Sequence, residues 1–405
     1  MPDRRVRRIS LLAAALSLCL PIGAQKATGN LGWPTYGGDP GGQRYSAAAQ
    51  ITRENVAKLQ PVWEYHTHAL ESGMLSVSRS DFEATPILFR DTLYLTTPFD
   101  RIIALDPATG IERWTYDPGL AKDLLAGNYT SRGVAAWADS KAKHGAPCGS
   151  RIFLATLDAR LLSVDAQNGR PCEEFGVAGQ VELKTGLPTR NDKPYLFFGN
   201  TSPPTVVGDV VVVGSAVGDN QAVETEPGVV RGFDAHTGRL LWSWDPMPWA
   251  EQQHPRTSAA NAWGVLAADP EHHLVFVPTT APSPDFYGGY RPGDDRDANS
   301  IVALNADTGK KVWAYQLIHH DVWDYDVASE PLLFEFHGIP AVAITPKTGV
   351  VFVFNRLTGE PIYPITERPV PQDGAPGEHL SPTQPFSSLP PLNPLRIDTS
   401  QMPGH

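Results

Sequence analysis

The chain is 405 residues long and carries 33 Lys and Arg against 44 Asp and Glu, a formal net charge of −11 at pH 7. That balance argues against a nucleic-acid surface, because neutralising phosphates needs clustered cations, while the length allows one large domain or two. Charged residues are only 19%, and Gly (36) and Pro (38) are abundant, which fits many short strands joined by turns with little long helix.

At the N-terminus Arg4, Arg5, Arg7 and Arg8 precede an apolar run over residues 9–20, followed by Pro21-Ile22-Gly23-Ala24. Cationic start, apolar middle and small-residue end are the pattern of a secretory signal peptide, with cleavage near Ala24. A short membrane anchor is the alternative, but the run falls well below the roughly 20 residues needed to span a bilayer. Arg7-Arg8 is compatible with a twin-arginine signal and the whole segment equally with plain Sec export. No other segment could span. Cys19 lies in the signal, which leaves Cys148 and Cys172; an even pair in an oxidising compartment points to a disulfide, with two buried thiols as the alternative. No C-x-x-C-H is present, which excludes covalently attached c-type haem on this chain.

From residue 30 onward the chain repeats itself. Five β-rich runs end in Asp or Asn with a Gly four residues later: Asp106 with Gly110, Asp165 with Gly169, Asp234 with Gly238, Asn305 with Gly309 and Asn355 with Gly359. In three of them a Trp follows at a constant offset, Trp114, Trp242 and Trp313. The physics is that of a hairpin: the acid or amide accepts turn N–H groups, Gly takes the positive-φ position, and the Trp offers a large apolar face to a neighbouring sheet. Further strands are predicted at 92–96, 151–155, 210–213 and 274–277. A single such sheet cannot bury both faces, and radial packing of successive sheets solves the problem. The expectation is therefore an all-β propeller, with an open stack of β-sandwiches as the alternative. Residues 30–363 would form five to six blades. Residues 364–405 are rich in Pro, Gly and Ser, read as irregular, and would lead toward further blades. Five units leave a ring short, so the reading at this level is a fragment or a ring completed by a partner.

Within the repeats one octet stands apart, His319-His320-Asp321-Val322-Trp323-Asp324-Tyr325-Asp326. It lies between predicted strands at 311–317 and 341–345. Solvated turns use small polar residues and Pro, whereas aromatics among acids suit a partly buried site in which a carboxylate acts as ligand or base. Taken alone the octet is compatible with either a satisfied turn or such a site. The two histidines, read as neighbours on a strand with opposite orientations, are expected to be structural.

Several motifs occur in one order: Trp33-Pro34 with Gln43-Arg44-Tyr45-Ser46, Phe82-Glu83-Ala84-Thr85-Pro86, Thr130-Ser131-Arg132-Gly133-Val134, Thr201-Ser202-Pro203-Pro204, the octet, and Pro382-Thr383-Gln384-Pro385-Phe386. Together they resemble the quinoprotein alcohol and glucose dehydrogenases, eight-bladed propellers holding pyrroloquinoline quinone (PQQ) on the axis. The likeness is greatest to the glucose dehydrogenase branch, without that branch's N-terminal membrane helices, and by this comparison the chain is C-terminally truncated. The resemblance implies roles residue by residue. Asp324 would be the catalytic base, with capping of a turn as its plainer reading, and Lys347 the cation at the quinone oxygens, with solvation in a hairpin-like turn as its plainer reading. Trp263 would stack on the flat cofactor, or else be ordinary core between blades. Glu83, Arg132, Thr201 and Ser215 would contact the cofactor, with a structural ion pair as the alternative for Arg132.

The same resemblance implies a divalent metal, Ca²⁺ or Mg²⁺, held by Asp219, Asn220 and Asp324, with Glu226 (or Glu224) as a further ligand. Where methanol-type enzymes supply an Asn, this chain has Ala281, with Ser283 as a substitute ligand; their adjacent-cysteine disulfide is missing too. The chemistry expected is oxidation of an alcohol, polyol or aldose: the carboxylate takes the hydroxyl proton, and hydride passes to the quinone. Implied partners are a small alcohol or sugar and a membrane quinone or cytochrome that accepts electrons. The implied location is the periplasm, with peripheral membrane association; the sequence leaves the oligomeric state open. The competing readings are a non-catalytic envelope scaffold built on the same repeat and an inactive remnant of the enzyme.

Overall fold

A computed structural model describes residues 32–75, 77–124, 126–188, 197–248 and 257–393. The predicted signal peptide and the end of the segment predicted to be irregular lie outside them. Among the described residues, helix is limited to three single turns, Val56–Lys58, Ala69–Glu71 and Val77–Arg79. No helix among them is long and apolar enough to cross a membrane.

Five antiparallel sheets follow one another along the chain. The first runs Ile87–Phe89, Thr92–Thr96, Ile102–Leu105, Glu112–Tyr116; the second Ala135–Ala138, Ser150–Ala155, Arg160–Asp165, Gln180–Glu182. The third runs Thr205–Val207, Val210–Val213, Val230–Asp234, Leu240–Trp244; the fourth Ala267–Asp269, Leu274–Pro278, Ser300–Asn305, Lys311–Gln316. The fifth has three strands, Leu332–Phe336, Ile339–Ile344 and Phe352–Asn355. Every sheet meanders, each strand pairing with the next in sequence. The first strands of consecutive sheets two to five lie against one another, so these are propeller blades with their inner strands around an axis. The core fills the layers between blades: Ile87, Trp114, Ile152 and Val164 between the first and second, Val212, Trp242, Val275 and Leu304 between the third and fourth.

The repeated Asp/Asn and Gly mark the contacts that hold blade to blade. Trp114, Trp242 and Trp313 each donate an indole N–H to the carbonyl just after the next blade's turn Asp or Asn, at Ala166 (3.1 Å), Ala306 (2.7 Å) and Arg356 (2.9 Å). The ring then lies on the turn glycine, where any Cβ would collide with it. The glycine thus serves twice, for its positive φ and for its missing side chain. In all three blades the register slips by one residue just before the Trp. Such a bulge re-aims the side chain that follows it, here out of the blade and toward its neighbour. The second blade has no Trp at this place, and Arg151 substitutes by donating to the carbonyls of Ala235 (3.0 Å) and His236 (2.7 Å). Cys148 and Cys172 are disulfide-bonded beside it, with Cα atoms 5.8 Å apart. Trp63, ahead of the first blade, docks on the Asp106 to Gly110 turn in the same way, donating to Pro107 (3.2 Å).

Trp242 is 7% exposed, and Trp242→Ala deletes its apolar contact, its hydrogen bond and the cover of Gly309 together. A loss of about 3–5 kcal/mol is expected, measured by urea unfolding followed at 280 nm. A loss below about 1 kcal/mol would show that the docking contributes little.

Two further segments shape the axis. Residues 32–44 cross between blades: the Trp33 carbonyl accepts from Leu88, Pro40 from Ala268 and Gly41 from Leu333. Residues 364–393, predicted to be irregular, contain a hairpin, Ile365–Pro369 paired with Thr383–Ser387. Its prolines, Pro369 and Pro385, break the usual strand pattern, yet Pro is tolerated in a two-stranded ribbon in which each strand has a free edge.

Candidate active site

In a meandering four-stranded blade, the start of the first strand and the link from second to third strand share one end. The candidate residues from all five blades come from those two kinds of connection. Glu83, Arg132, Thr201, Trp263 and the octet precede the first strands of blades one to five; Ser215 and Asp219, Ser283 and Asp285, and Lys347 lie in the second-to-third links of blades three, four and five. The topology gathers them at one end of the axis. Successive loops are tied together: Thr85 N–H to the Arg132 carbonyl, Arg132 N–H to Thr201, and the Ser202 hydroxyl to Trp263 (2.6 Å).

The octet divides its acids between tasks. Asp321, buried, accepts the backbone N–H groups of Trp323 (2.9 Å) and Tyr325 (2.7 Å) and the Asn299 amide (2.9 Å). It is the turn-capping residue. Asp324 is left over, at a left-handed φ of 56°, which Asp adopts more readily than most residues. Its carboxylate is partly exposed and meets the ammonium of Lys347 at 2.9 Å. Asp326, buried, takes the same ammonium at 2.9 Å and the Trp263 indole N–H at 3.1 Å. The octet is a series of bends rather than the end of a strand, which corrects the predicted reading of the histidines. They are nonetheless tied into the fold: His319 lies 2.6 Å from the Gln316 amide oxygen and 3.2 Å from Glu367, and His320 lies 2.6 Å from the Gly293 carbonyl. On its far side the octet borders a cavity of about 360 Å³ lined by Trp323, Tyr325, Phe352, Val370, Leu380 and Phe386.

Trp263 differs from the docking tryptophans. It is half-buried, contacts no turn glycine, and carries the Arg132 guanidinium 5.0 Å above its ring. Arg132 is itself held by Glu83 at 2.7 Å and by the Thr201 hydroxyl at 2.9 Å. Asp219 accepts from the Asn261 amide at 3.2 Å, whereas its neighbour Asn220 is exposed. Ser283 is buried and already occupied: it donates to the Val223 carbonyl (2.8 Å) and accepts from Ser258 N–H (3.0 Å) and the Thr225 hydroxyl (3.3 Å). With both acceptor positions used it has nothing left for a metal. Glu226 is half-buried on the same loop as Thr225.

Charge in the site is unbalanced. Burial, then the charges of Asp326 and Asp324, push Asp219 up to about 7. Burial, then Asp219 and the octet acids, push Asp285 up to about 8, and burial with Asp324 brings Asp326 to about 6 against the pull of Lys347. Burial alone would lower Lys347, but Asp326 and Asp324 more than offset it and hold its ammonium above the ordinary value. Lys347 pairs with Asp324 and Asp326, whereas among the described residues no ion pair reaches Asp219 or Asp285. One oxygen of Asp285 and the side-chain oxygen of Asn261 are buried without a partner among the described residues. Hard oxygen donors, surplus negative charge and unmet acceptors are what a divalent cation such as Ca²⁺ requires. Among the described residues the buried hydroxyls of Ser215, next to the Gly214 that packs on Ala262, and of Thr130, two residues before Arg132, have no partner, which likewise fits a polar, anionic cofactor.

Asp326, Asp285 and Asn261 were not singled out in the sequence. Asp326 stood in the octet itself, in an Asp-x-Asp pattern. Asp285 follows Ser283 by two residues, but only the fold brings it beside the octet.

A family described as PQQ glucose/ethanol/alcohol dehydrogenase, beta-propeller domain, matches residues 33–405. The chain is similar to quinoprotein glucose dehydrogenase of Escherichia coli (strain K12), 39% identical over 375 residues, covering 88% of this chain and 46% of the relative. It is also similar to the glycerol dehydrogenase large subunit of Gluconobacter oxydans (strain 621H), 36% identical over 379 residues, covering 90% and 50%. Among solved structures, quinohemoprotein alcohol dehydrogenase from Comamonas testosteroni superposes with a TM-score of 0.67 at 26% identity, covering 88% of this chain and 52% of that one. The chain thus spans about half the length of the curated relatives it matches.

Proposed function

The chain belongs to the PQQ glucose/ethanol/alcohol dehydrogenase β-propeller family, and on that premise we propose that it carries the cofactor cradle and proton acceptor of a quinoprotein dehydrogenase. The substrate class is an alcohol, polyol or aldose. The observation that carries this is Asp324 beside Lys347 and Trp263, at the one end of the axis where five blades deliver their loops.

Trp263 provides a flat apolar face for the cofactor, and Arg132, fixed by Glu83, a cation for its carboxylates. Asp219, Asp285 and Asn261 would hold a divalent cation, which would supply Lewis-acid polarisation of the cofactor. When bound, PQQ supplies the two-electron oxidant that takes hydride from the substrate carbon. Asp324 takes the hydroxyl proton, since it is partly exposed and has only one strong partner to release. Lys347 supplies fixed positive charge where negative charge grows on the quinone oxygens.

Export to the periplasm is part of the proposal, supported by the N-terminal arginines before an apolar run and by the Cys148–Cys172 bond. The electron acceptor we infer is a membrane quinone or a cytochrome, as a dissociable redox partner of such a cofactor. The test is a titration of the metal-free protein with PQQ in the presence and absence of Ca²⁺, followed by absorbance and thermal shift. Saturable one-to-one binding that needs Ca²⁺ is expected. Absence of binding would favour a propeller that serves as a scaffold.

A further inference from the structure

Asp324 and Asp326 are two residues apart, face the same ammonium and differ in every other respect. Asp326 is 3% exposed. One of its oxygens accepts from the Trp263 indole (3.1 Å) and from Lys347 (2.9 Å), the other accepts the Ala281 N–H (2.8 Å), and its carbonyl accepts the Lys347 N–H (2.9 Å). One residue thus satisfies four donors from three separate loops: the entry to blade four, the second-to-third link of blade four and that of blade five. A general base needs an accessible lone pair within reach of the substrate, and Asp326 is buried with three of its roughly four carboxylate acceptor sites already taken. Asp324, with Lys347 as its one strong partner, does.

We propose that Asp326 is a positioning residue that sets the indole plane of Trp263 and the ammonium of Lys347 in fixed relation before the cofactor arrives. This rests on the cofactor reading of the site. It also explains why the platform tryptophan must be Trp: Phe would supply the ring but not the N–H that Asp326 grips. A buried carboxylate that accepts from three donors is costly to misplace, since every donor it leaves is orphaned. That cost makes it a good rigid tie between loops of different blades.

The test begins on the metal-free, cofactor-free protein, so that it does not depend on activity. Hydrogen exchange of the Trp263 indole N–H is followed by NMR, and acetylation of Lys347 by mass spectrometry, in wild type, Asp326→Asn and Asp324→Asn. In Asp326→Asn, indole exchange is expected to rise at least ~10-fold and Lys347 acetylation several-fold; in Asp324→Asn, indole exchange should stay within ~2-fold of wild type. Exchange in Asp326→Asn equal to wild type, or equally fast in both variants, would overturn the assignment. Trp263→Phe serves as a second variant in case Asp326→Asn does not fold. It is expected to raise the PQQ dissociation constant at least ~10-fold although a flat ring is retained. Unchanged affinity in Trp263→Phe would also overturn it. If wild type itself binds no PQQ, the cofactor reading fails, while the exchange and acetylation results still decide whether the tie exists.

Discussion

Asp324→Asn is expected to lower kcat for dye-linked alcohol oxidation by about 10²–10⁴-fold, the range for loss of a positioned general base, while PQQ still binds within a few-fold of wild type. The amide is nearly isosteric and can keep a contact to Lys347, so the fold and the cradle survive, but it cannot take a proton at neutral pH. Neighbouring acids do not replace it. Asp321 is committed to the N–H groups of Trp323 and Tyr325 and to Asn299, and Asp326 to Trp263, Lys347 and Ala281. The measurement is steady-state kinetics at saturating PQQ and Ca²⁺, with Ca²⁺ affinity determined in parallel. A normal kcat would remove Asp324 as the base. A low kcat restored by raising Ca²⁺ would instead make it chiefly a metal ligand.

The architecture was legible because one turn does two jobs. A glycine four residues after an acid, with a Trp a few residues later, specifies a hairpin and also the surface on which the next blade docks. That is why the pattern survives at Trp114, Trp242 and Trp313 without any wider similarity between the blades. Arg151 escaped notice for the converse reason: it replaces the Trp hydrogen bond from a different strand, so no fixed offset announces it. Trp63 stands at the same offset from Asn55, but Leu59 occupies the glycine position, so the full motif does not mark it.

At the site, unusual neighbours drew attention to the octet as a whole, and the roles expected of Asp324, Trp263 and Lys347 came from the family resemblance. Residues whose meaning is relational were overlooked. Asp285 looks like an ordinary loop acid beside two prolines until the second-to-third link of blade four is placed against the octet. Ser283 attracted attention in its stead, although its hydroxyl is consumed by Val223, Ser258 and Thr225. Alternation along the octet misled as well, because the chain bends there instead of running as a strand, so residue parity does not set orientation.

Without metal, the protein is expected to lose stability as pH rises from about 5 to 8, and Ca²⁺ to restore it. Asp285, Asp219 and Asp326 sit at about 8, 7 and 6 in the folded protein, through burial first and mutual repulsion next, whereas the unfolded chain releases these protons near pH 4. Between those limits the folded state binds more protons than the unfolded state, so unfolding free energy falls with rising pH. The benefit is complete below about pH 4 and is lost as pH climbs through 6 to 8. A divalent cation takes the place of the protons, so its affinity rises with pH, by at least ~10-fold between pH 6 and 8 if one proton is displaced. Calorimetry with chelator should show Tm dropping by about 5–10 °C over this range, at roughly 1–2 °C per kcal/mol for a chain of this size, and Ca²⁺ should flatten the curve. Asp285→Asn separates this account from general acid sensitivity, because it removes a charge that repels and a ligand that binds. The chelated variant should be more stable than wild type at pH 8 and should respond less to Ca²⁺. A chelated wild type whose Tm is flat or rises between pH 6 and 8 would mean that these carboxylates do not carry surplus charge together, and the cation site would lose its physical basis.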